Sequence, residues 1–379
     1  LIVRLEMTPQ FELVLLLACV GAACAVPGVF LLLRRLAIVT DAISHVLLFG
    51  IVVAFLLVKD RSSPLLFFGA AASGVLTVAL VELLQRTRLV KEDAAVGLVF
   101  PALFALGAVL LTVFVPRTTH LDIDTVLLGN EAFSVYGNRW LVGEHEPKLD
   151  LGPVGIWTLG GLFVLNTQLV LAVYKELKLS TFDPELATVF GFLPAVLHYG
   201  LMTGVSLTAV AAFDAVGPVV VVALFVVPAA TAYMLTDRLS WMLVLAVLFA
   251  VGGAVAGTLL AVAIDANVAG TVAVVLGLIF GVVFLVAPRR GLVAKVLQRW
   301  EQHRRFLETM LAIHLLQHEG TPQETDESAL DGLHHHLQWP PADVTKVVKR
   351  AERNGLVTEQ GGRLKLTDEG RAVAKGAFG

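Results

Sequence analysis

Residues 34–60 read RRLAIVTDAISHVLLFGIVVAFLLVKD. Between Arg35 and Lys59 the only ionisable side chains are Asp41 and His45. The apolar run is long enough to cross a hydrocarbon core, which takes about 20 residues in a helix. Asp41 and His45 stand at i and i+4, so a helix carries them on one face, with Ser44 close by. A carboxylate at the centre of a bilayer costs about 2.5–3.5 kcal/mol on insertion scales, so the pair is expected to face a cavity or the interior of a helix bundle. Carboxylate oxygen with imidazole nitrogen suits a divalent first-row cation such as Zn²⁺, Mn²⁺ or Fe²⁺. The plainer alternative is a mutual hydrogen bond that satisfies both groups, since one pair is not a complete coordination shell.

The rest of the chain agrees with a membrane reading. Of 379 residues, 57% are hydrophobic and 16% charged, and the mean hydropathy is +0.81, outside the range of soluble domains. A net charge of −3 argues against strong attraction of the whole molecule to nucleic acid. Apolar stretches lie at 11–33, 41–58, 64–84, 94–115, 153–174, 195–212, 216–235, 241–264 and 268–287. They predict an all-α polytopic protein of nine spans, or eight if one of the sixth and seventh is re-entrant, because only Phe213 to Ala215 separates those two. Gly253 with Gly257, and Gly277 with Gly281, have the small-residue spacing that lets helices approach closely. Cys19 and Cys24, both in the first run, are too few for a thiolate metal site and read as small packing residues. The run from Phe11 to Leu33 exceeds a signal-peptide core and leads into Arg34-Arg35, so it is expected to remain as a span; the first residue is Leu1, and Met7 is an alternative start.

Basic residues orient the bundle. With the N-terminus outside, Arg34, Arg35, Arg86, Arg88, Lys91, Lys175, Lys178, Arg238, Arg289 and Arg290 fall inside, and Arg4, Lys59, Arg61, Arg117, Arg139 and Lys148 outside. Nine spans then leave the C-terminus in the cytoplasm. At Pro288 the composition turns charged and His-rich, with acidic and basic residues in equal number from Lys295 onward. The chain is thus expected to divide into a membrane domain, 1–290, and a soluble cytoplasmic domain, 291–379.

Segment 34–56 resembles the second-helix region of the ABC-type manganese, zinc and iron importer permeases, with their Asp-Ala-x-Ser-His signature. TVLLGN at 125–130, LSTFDPELATVFG at 179–191 and FDAVGPVVVVALFVVPAATAYMLTDRL at 213–239 extend the likeness in the family's order. The resemblance implies a multi-pass permease subunit of a bacterial or archaeal inner membrane that carries a divalent Mn, Zn or Fe ion without a permanently bound cofactor. It implies Asp41 and His45 as ligands on the metal path near its outward gate, and Asp183, Pro184 and Glu185 in the cytoplasmic segment that docks on the ATPase. The partners it implies are a separate ABC ATPase, an extracytoplasmic metal-binding protein and a second permease subunit, identical or not. No G-x-x-x-x-G-K-[ST] sequence occurs, so the chain is not expected to hold ATP by a P-loop or to be an enzyme. The outer loop departs from the family in its length around Gly137 to Asp150; its Glu144-His145-Glu146 reads as charged surface. Asp214 is expected as a loop carboxylate, His198 as a packed, hydrogen-bonded residue, and Glu82 and Asp265 as helix-end acids in reach of water.

In the last part, PADVTKVVKRAERNGLV places Val344, Val347, Val348, Ala351 and Leu356 at helical spacing, and LVTEQGGRLKLTDEGRAVA gives two short strands and a closing helix. This resembles the winged-helix domain of the iron- and manganese-dependent repressors, a small α+β domain. Lys346, Lys349 and Arg350 are the candidate contacts to DNA, although the balanced charge supplies no strong nonspecific affinity. His303, His314, His318 and His334 to His336 are candidate metal ligands, with solvated histidines as the plain alternative. Beside the permease stands a second reading, a membrane-tethered, metal-responsive transcriptional regulator whose helices sense and anchor.

Overall fold

In the computed structural model the residues described are 3–4, 8–60, 63–114, 139–142, 149–288, 290–330 and 332–377. The chain forms two compact units, Leu1–Ala287 and Pro288–Gly379.

The first unit contains nine helices long and apolar enough to cross a membrane among the described residues: α1 (Pro9–Leu33), α2 (Ala37–Val58), α3 (Leu65–Arg86), α4 (Glu92–Phe114), α5 (Val154–Ala172), α8 (Pro194–Val216), α9 (Pro218–Leu235), α10 (Leu239–Ile264) and α11 (Val268–Val286). Two short helices, α6 (Tyr174–Phe182) and α7 (Pro184–Val189), lie between α5 and α8. A helix that is apolar on every side must be enclosed by others. Helix α1 is that helix: it packs on α5, α8, α9 and α10, and Val20 to Leu31 are buried without a break. Helices α2, α3 and α4 pack together, and α8 reaches across to α1, α2, α3 and α5.

Backbones meet directly at several crossings. A Cβ at Gly28 would run into the carbonyl of Phe225 on α9, so no side chain separates α1 from α9 there. Gly253 and Gly257 sit against Leu276 and Val272 of α11, as their spacing predicts; a Cβ on Gly257 would lie 2.6 Å from the Val272 Cα. A Cβ at Gly277 or Gly281 would meet nothing within 4 Å among the described residues, so these two glycines make no such crossing there.

Helix α8 runs to Val216, further than hydropathy places it, and carries Asp214 in its last turn instead of in a loop. The break comes at Gly217, whose φ of +81° favours glycine, followed by Pro218 at the start of α9. At the same end of the bundle, where α1 begins, β1 (Val3–Arg4) pairs in parallel with β3 (Leu149–Pro153), which pairs antiparallel with β2 (Arg139–Val142). Arg139 ties β2 to the first turn of α1 through a buried, two-pronged bond to Glu12, at 2.7 and 2.8 Å.

The second unit consists of α12 (Leu292–His318), α13 (Glu324–Glu327), α14 (Leu333–His336), α15 (Pro341–Arg353), β4 (Val357–Gln360), β5 (Arg363–Leu366) and α16 (Asp368–Gly376). Val344, Val347, Val348 and Ala351 give α15 one buried face, packed with Leu311, Leu315, Leu333 and Leu364. Gly361 and Gly362, at φ of +63° and +78°, close the β4–β5 hairpin, which only glycine, Asn or Asp does readily. An isolated bridge from Ala329 pairs with Arg363.

Candidate functional site

Helix α2 sorts its polar residues by face. Thr40 and Ser44 are buried, and their hydroxyls donate to the helix's own carbonyls, at Ala37 (2.7 Å) and Asp41 (2.5 Å). Asp41 and His45 lie on the adjoining face, with side chains 56% and 41% exposed. His45 Nε2 stands 3.8 Å from Asp41 Oδ1, too far for a hydrogen bond and close enough for both to reach one ion. Two aromatic rings one turn apart on α4 hold the imidazole: Phe100 stacks on it at 5.7 Å and Phe104 meets it edge-on at 6.1 Å. These rings limit its rotation without competing for its nitrogens.

At 1.5 Å per residue, Asp41 and His45 lie about 6 and 12 Å along a helix of about 33 Å, counted from Ala37. The family likeness implies a place near the outward gate. On the orientation expected from the basic residues, this half of α2, next to Arg34, belongs instead on the inner side.

The same end of the bundle holds a polar network that the sequence does not announce. Arg34 donates from Nε to Thr181 Oγ1 (3.2 Å) and from one terminal nitrogen to Ser180 Oγ (3.0 Å), both on α6. Its other terminal nitrogen is 3.2 Å from His198 Nδ1 on α8. Because a guanidinium only donates, Nδ1 accepts and the proton of a neutral His198 sits on Nε2. Tyr199 donates to Glu82 of α3, whose carboxylate is 3.9 Å from Arg86. His198 is thus packed and bonded, as expected. Arg34 reads in the sequence only as an orienting charge; its partners lie 146 and more residues away.

Asp183 caps α7, its Oδ1 accepting the Leu186 N–H at 2.9 Å, and Pro184 occupies the first helical position. Glu185 projects into solvent. Around this cap Phe182, Val189, Phe190 and Leu193 are exposed, Val189 by 82%. These exposed apolar side chains surround a capped helix of six residues. In the second unit Lys346 and Lys349 are exposed, Lys346 standing 3.4 Å from Asp343. Arg350 departs from the expected outward set: its Nε is 3.7 Å from buried Glu308, which also accepts from Asn354 at 2.9 Å. TVLLGN at 125–130 and the Glu144-His145-Glu146 stretch lie outside the described residues.

The family model described as ABC 3 transport family matches residues 10–141 and 149–287. The chain belongs to that family. The break in the match, 142–148, falls inside the stretch where the sequence departs in length. The zinc transport system membrane protein TroD of Treponema pallidum is 42% identical over 366 residues, covering 96% of this chain and 97% of TroD. That likeness runs well into the second unit. The manganese transport system membrane protein MntD of Bacillus subtilis is 45% identical over 234 residues, 62% of this chain and 76% of MntD. Among solved structures, PsaBC from Streptococcus pneumoniae in complex with Fab aligns with a TM-score of 0.60 and 25% identity, over 75% of this chain and 94% of that one.

Proposed function

We propose that this chain is the membrane permease subunit of an ATP-driven importer of a divalent transition metal ion, Mn, Zn or Fe, with Asp41 and His45 as ligands on the ion's path. The observation that carries this is the pair itself: a carboxylate and an aromatic-braced imidazole on one exposed face of a helix that is otherwise apolar enough to span a bilayer. Left against lipid, the carboxylate is costly. A second permease subunit, laid against that face, encloses it and brings further ligands, so the path runs between two subunits. Zinc and manganese in the names of the relatives fit this donor set, as does the chelated iron in that of YfeD of Yersinia pestis. An extracytoplasmic binding protein delivers the ion.

The ATPase docks at α7, where Asp183 and Pro184 shape the helix and Glu185 with the exposed apolar residues meets the partner. Arg34 links α6, next to that surface, to the turn that starts α2, seven residues before Asp41. The second unit, cytoplasmic on the charge orientation, is read as winged-helix-like on its α15–hairpin–α16 order and the bridge at Ala329, with a regulatory role. The inward turn of Arg350 removes support from DNA contact by Lys346, Lys349 and Arg350, and the tethered-regulator reading is not favoured.

The test is uptake of radiolabelled Mn²⁺, Fe²⁺ and Zn²⁺ in cells lacking their own importers, expressing the chain with its ATPase and binding protein. Uptake lost in Asp41→Ala and His45→Ala at unchanged membrane abundance supports the path and names the ion. Wild-type uptake in both variants sinks it.

A further inference from the structure

The second unit gathers donor atoms at a place that transport does not use. His314 and His318, on the last two turns of α12, face α13 at its end residue Glu327; one donor atom from each of the three lies within 4.8 Å of the others. His336, ending α14, adds its Nδ1 at 2.9 Å from Glu327 Oε2, and His314 Nε2 is 3.3 Å from the same oxygen. The rings of His314 and His318 are 5.0 Å apart, and those of His314 and His336 6.2 Å.

That oxygen is buried and accepts no hydrogen bond among the described residues. Two imidazole nitrogens therefore approach it without pointing an N–H along the line between them. A cluster built to satisfy itself would align those donors, because a buried unmet acceptor costs about 1–3 kcal/mol. We propose that His314, His318 and Glu327, with His336 as fourth ligand, bind a divalent first-row cation, Zn²⁺ best. Three imidazoles and one carboxylate favour it over Mg²⁺ or Ca²⁺, which take oxygen shells.

Zinc–ligand bonds of about 2.0–2.2 Å in a tetrahedron put donors roughly 3.3 Å apart, so the atoms of His314, His318 and Glu327 close by about 1.5 Å or less, and His336, which lies outside that group, has to turn in. Rotation of exposed His336 and of Glu327 covers this. His314 Nε2 donates to the Glu327 carbonyl at 3.3 Å; ligation through Nε2 gives up that bond and moves the neutral ring's proton to Nδ1. A bound cation ties the end of α12 to α13 and α14. The site is independent of which ion, if any, crosses the membrane.

The test uses the full chain in detergent carrying Asp41→Ala and His45→Ala, so that the membrane pair contributes nothing. Co²⁺ is titrated and its visible d–d absorption followed, then Zn²⁺ is added. Expected is an intense tetrahedral band at one equivalent, bleached by Zn²⁺, unchanged in His335→Ala and lost in His314→Ala/His318→Ala. Glu327→Gln, which keeps the shape of the loop, weakens Zn²⁺ at least as much as the roughly tenfold to hundredfold that loss of an outer partner costs. Should the double variant fail to fold, Glu327→Gln and His336→Gln decide. No band in the parent, a band equal in the double variant, or equal weakening by His335→Ala and Glu327→Gln overturns the proposal.

Discussion

Two places in this molecule begin from the same spacing and end differently. Asp41 with His45, and His314 with His318, are both pairs at i and i+4 on a helix. At the first, both side chains are about half exposed and, among the described residues, the aromatic rings of α4 are neighbours and the donors end with the pair. At the second, a short helix and a further turn fold back and bring Glu327 and His336 to the pair. A pair on one helix offers two ligands and no more; the remainder has to come from another element. In the second unit neighbouring elements offer it, whereas in the membrane no other described residue does, and the proposed path takes it from a second subunit. That difference suits an ion held in one case and an ion passed on in the other.

The comparison breaks most visibly in transport. Asp41→Ala and His45→Ala are expected to cut metal uptake by more than tenfold, while His314→Ala/His318→Ala leaves the bulk of it. Parallel uptake assays at matched membrane abundance decide, and equal losses would erase the distinction between the two sites. Second in size is Arg139→Ala. It strands buried Glu12 in the first turn of α1 and is expected to destabilise the first unit by about 3–5 kcal/mol, the cost of breaking a buried pair, seen as a lowered melting temperature in detergent. Changing Glu12 to Gln as well should restore much of it.

Phe100→Ala sharpens the role of the aromatic brace: a freer His45 should lower uptake severalfold with the ion preference unchanged, as competition between Mn²⁺ and Zn²⁺ would show. The smallest effect concerns acid. Burial holds the His314 imidazole below its usual value, with the charges of His318 and His336 acting the same way and Glu327 opposing them. Because the folded value lies below the unfolded one, the stability this neutral ring lends is whole above about pH 6.5 and fades as pH falls below it. Amide exchange in α12 and α13 should quicken on moving from about pH 7.5 to 5.5, and His314→Gln should flatten that response.

Much of the membrane architecture could be read without coordinates, because a span of about 20 apolar residues is a local property. The ends were less legible: α8 outlasts its apolar run to include Asp214, since Gly217-Pro218, not polarity, stops it. Gly253 and Gly277 look alike in sequence, yet among the described residues only the first meets a neighbouring helix. For the sites, spacing revealed each pair and nothing across from it. Glu327 is one of many acids in a loop-like stretch, and Ser180, Thr181 and His198 carry no sign that they meet Arg34. Partners brought together by tertiary folding leave no local pattern.

The contact of Gly28 with the Phe225 carbonyl has a mechanical consequence. With no side chain between them to change rotamer and act as a lubricant, α1 and α9 cannot slide along one another at that point without backbone collision. They move as one piece, like two beams welded at a joint. Any rocking of the bundle must then be sought where the chain can swivel, and Gly217, at the near end of α9, supplies such a pivot.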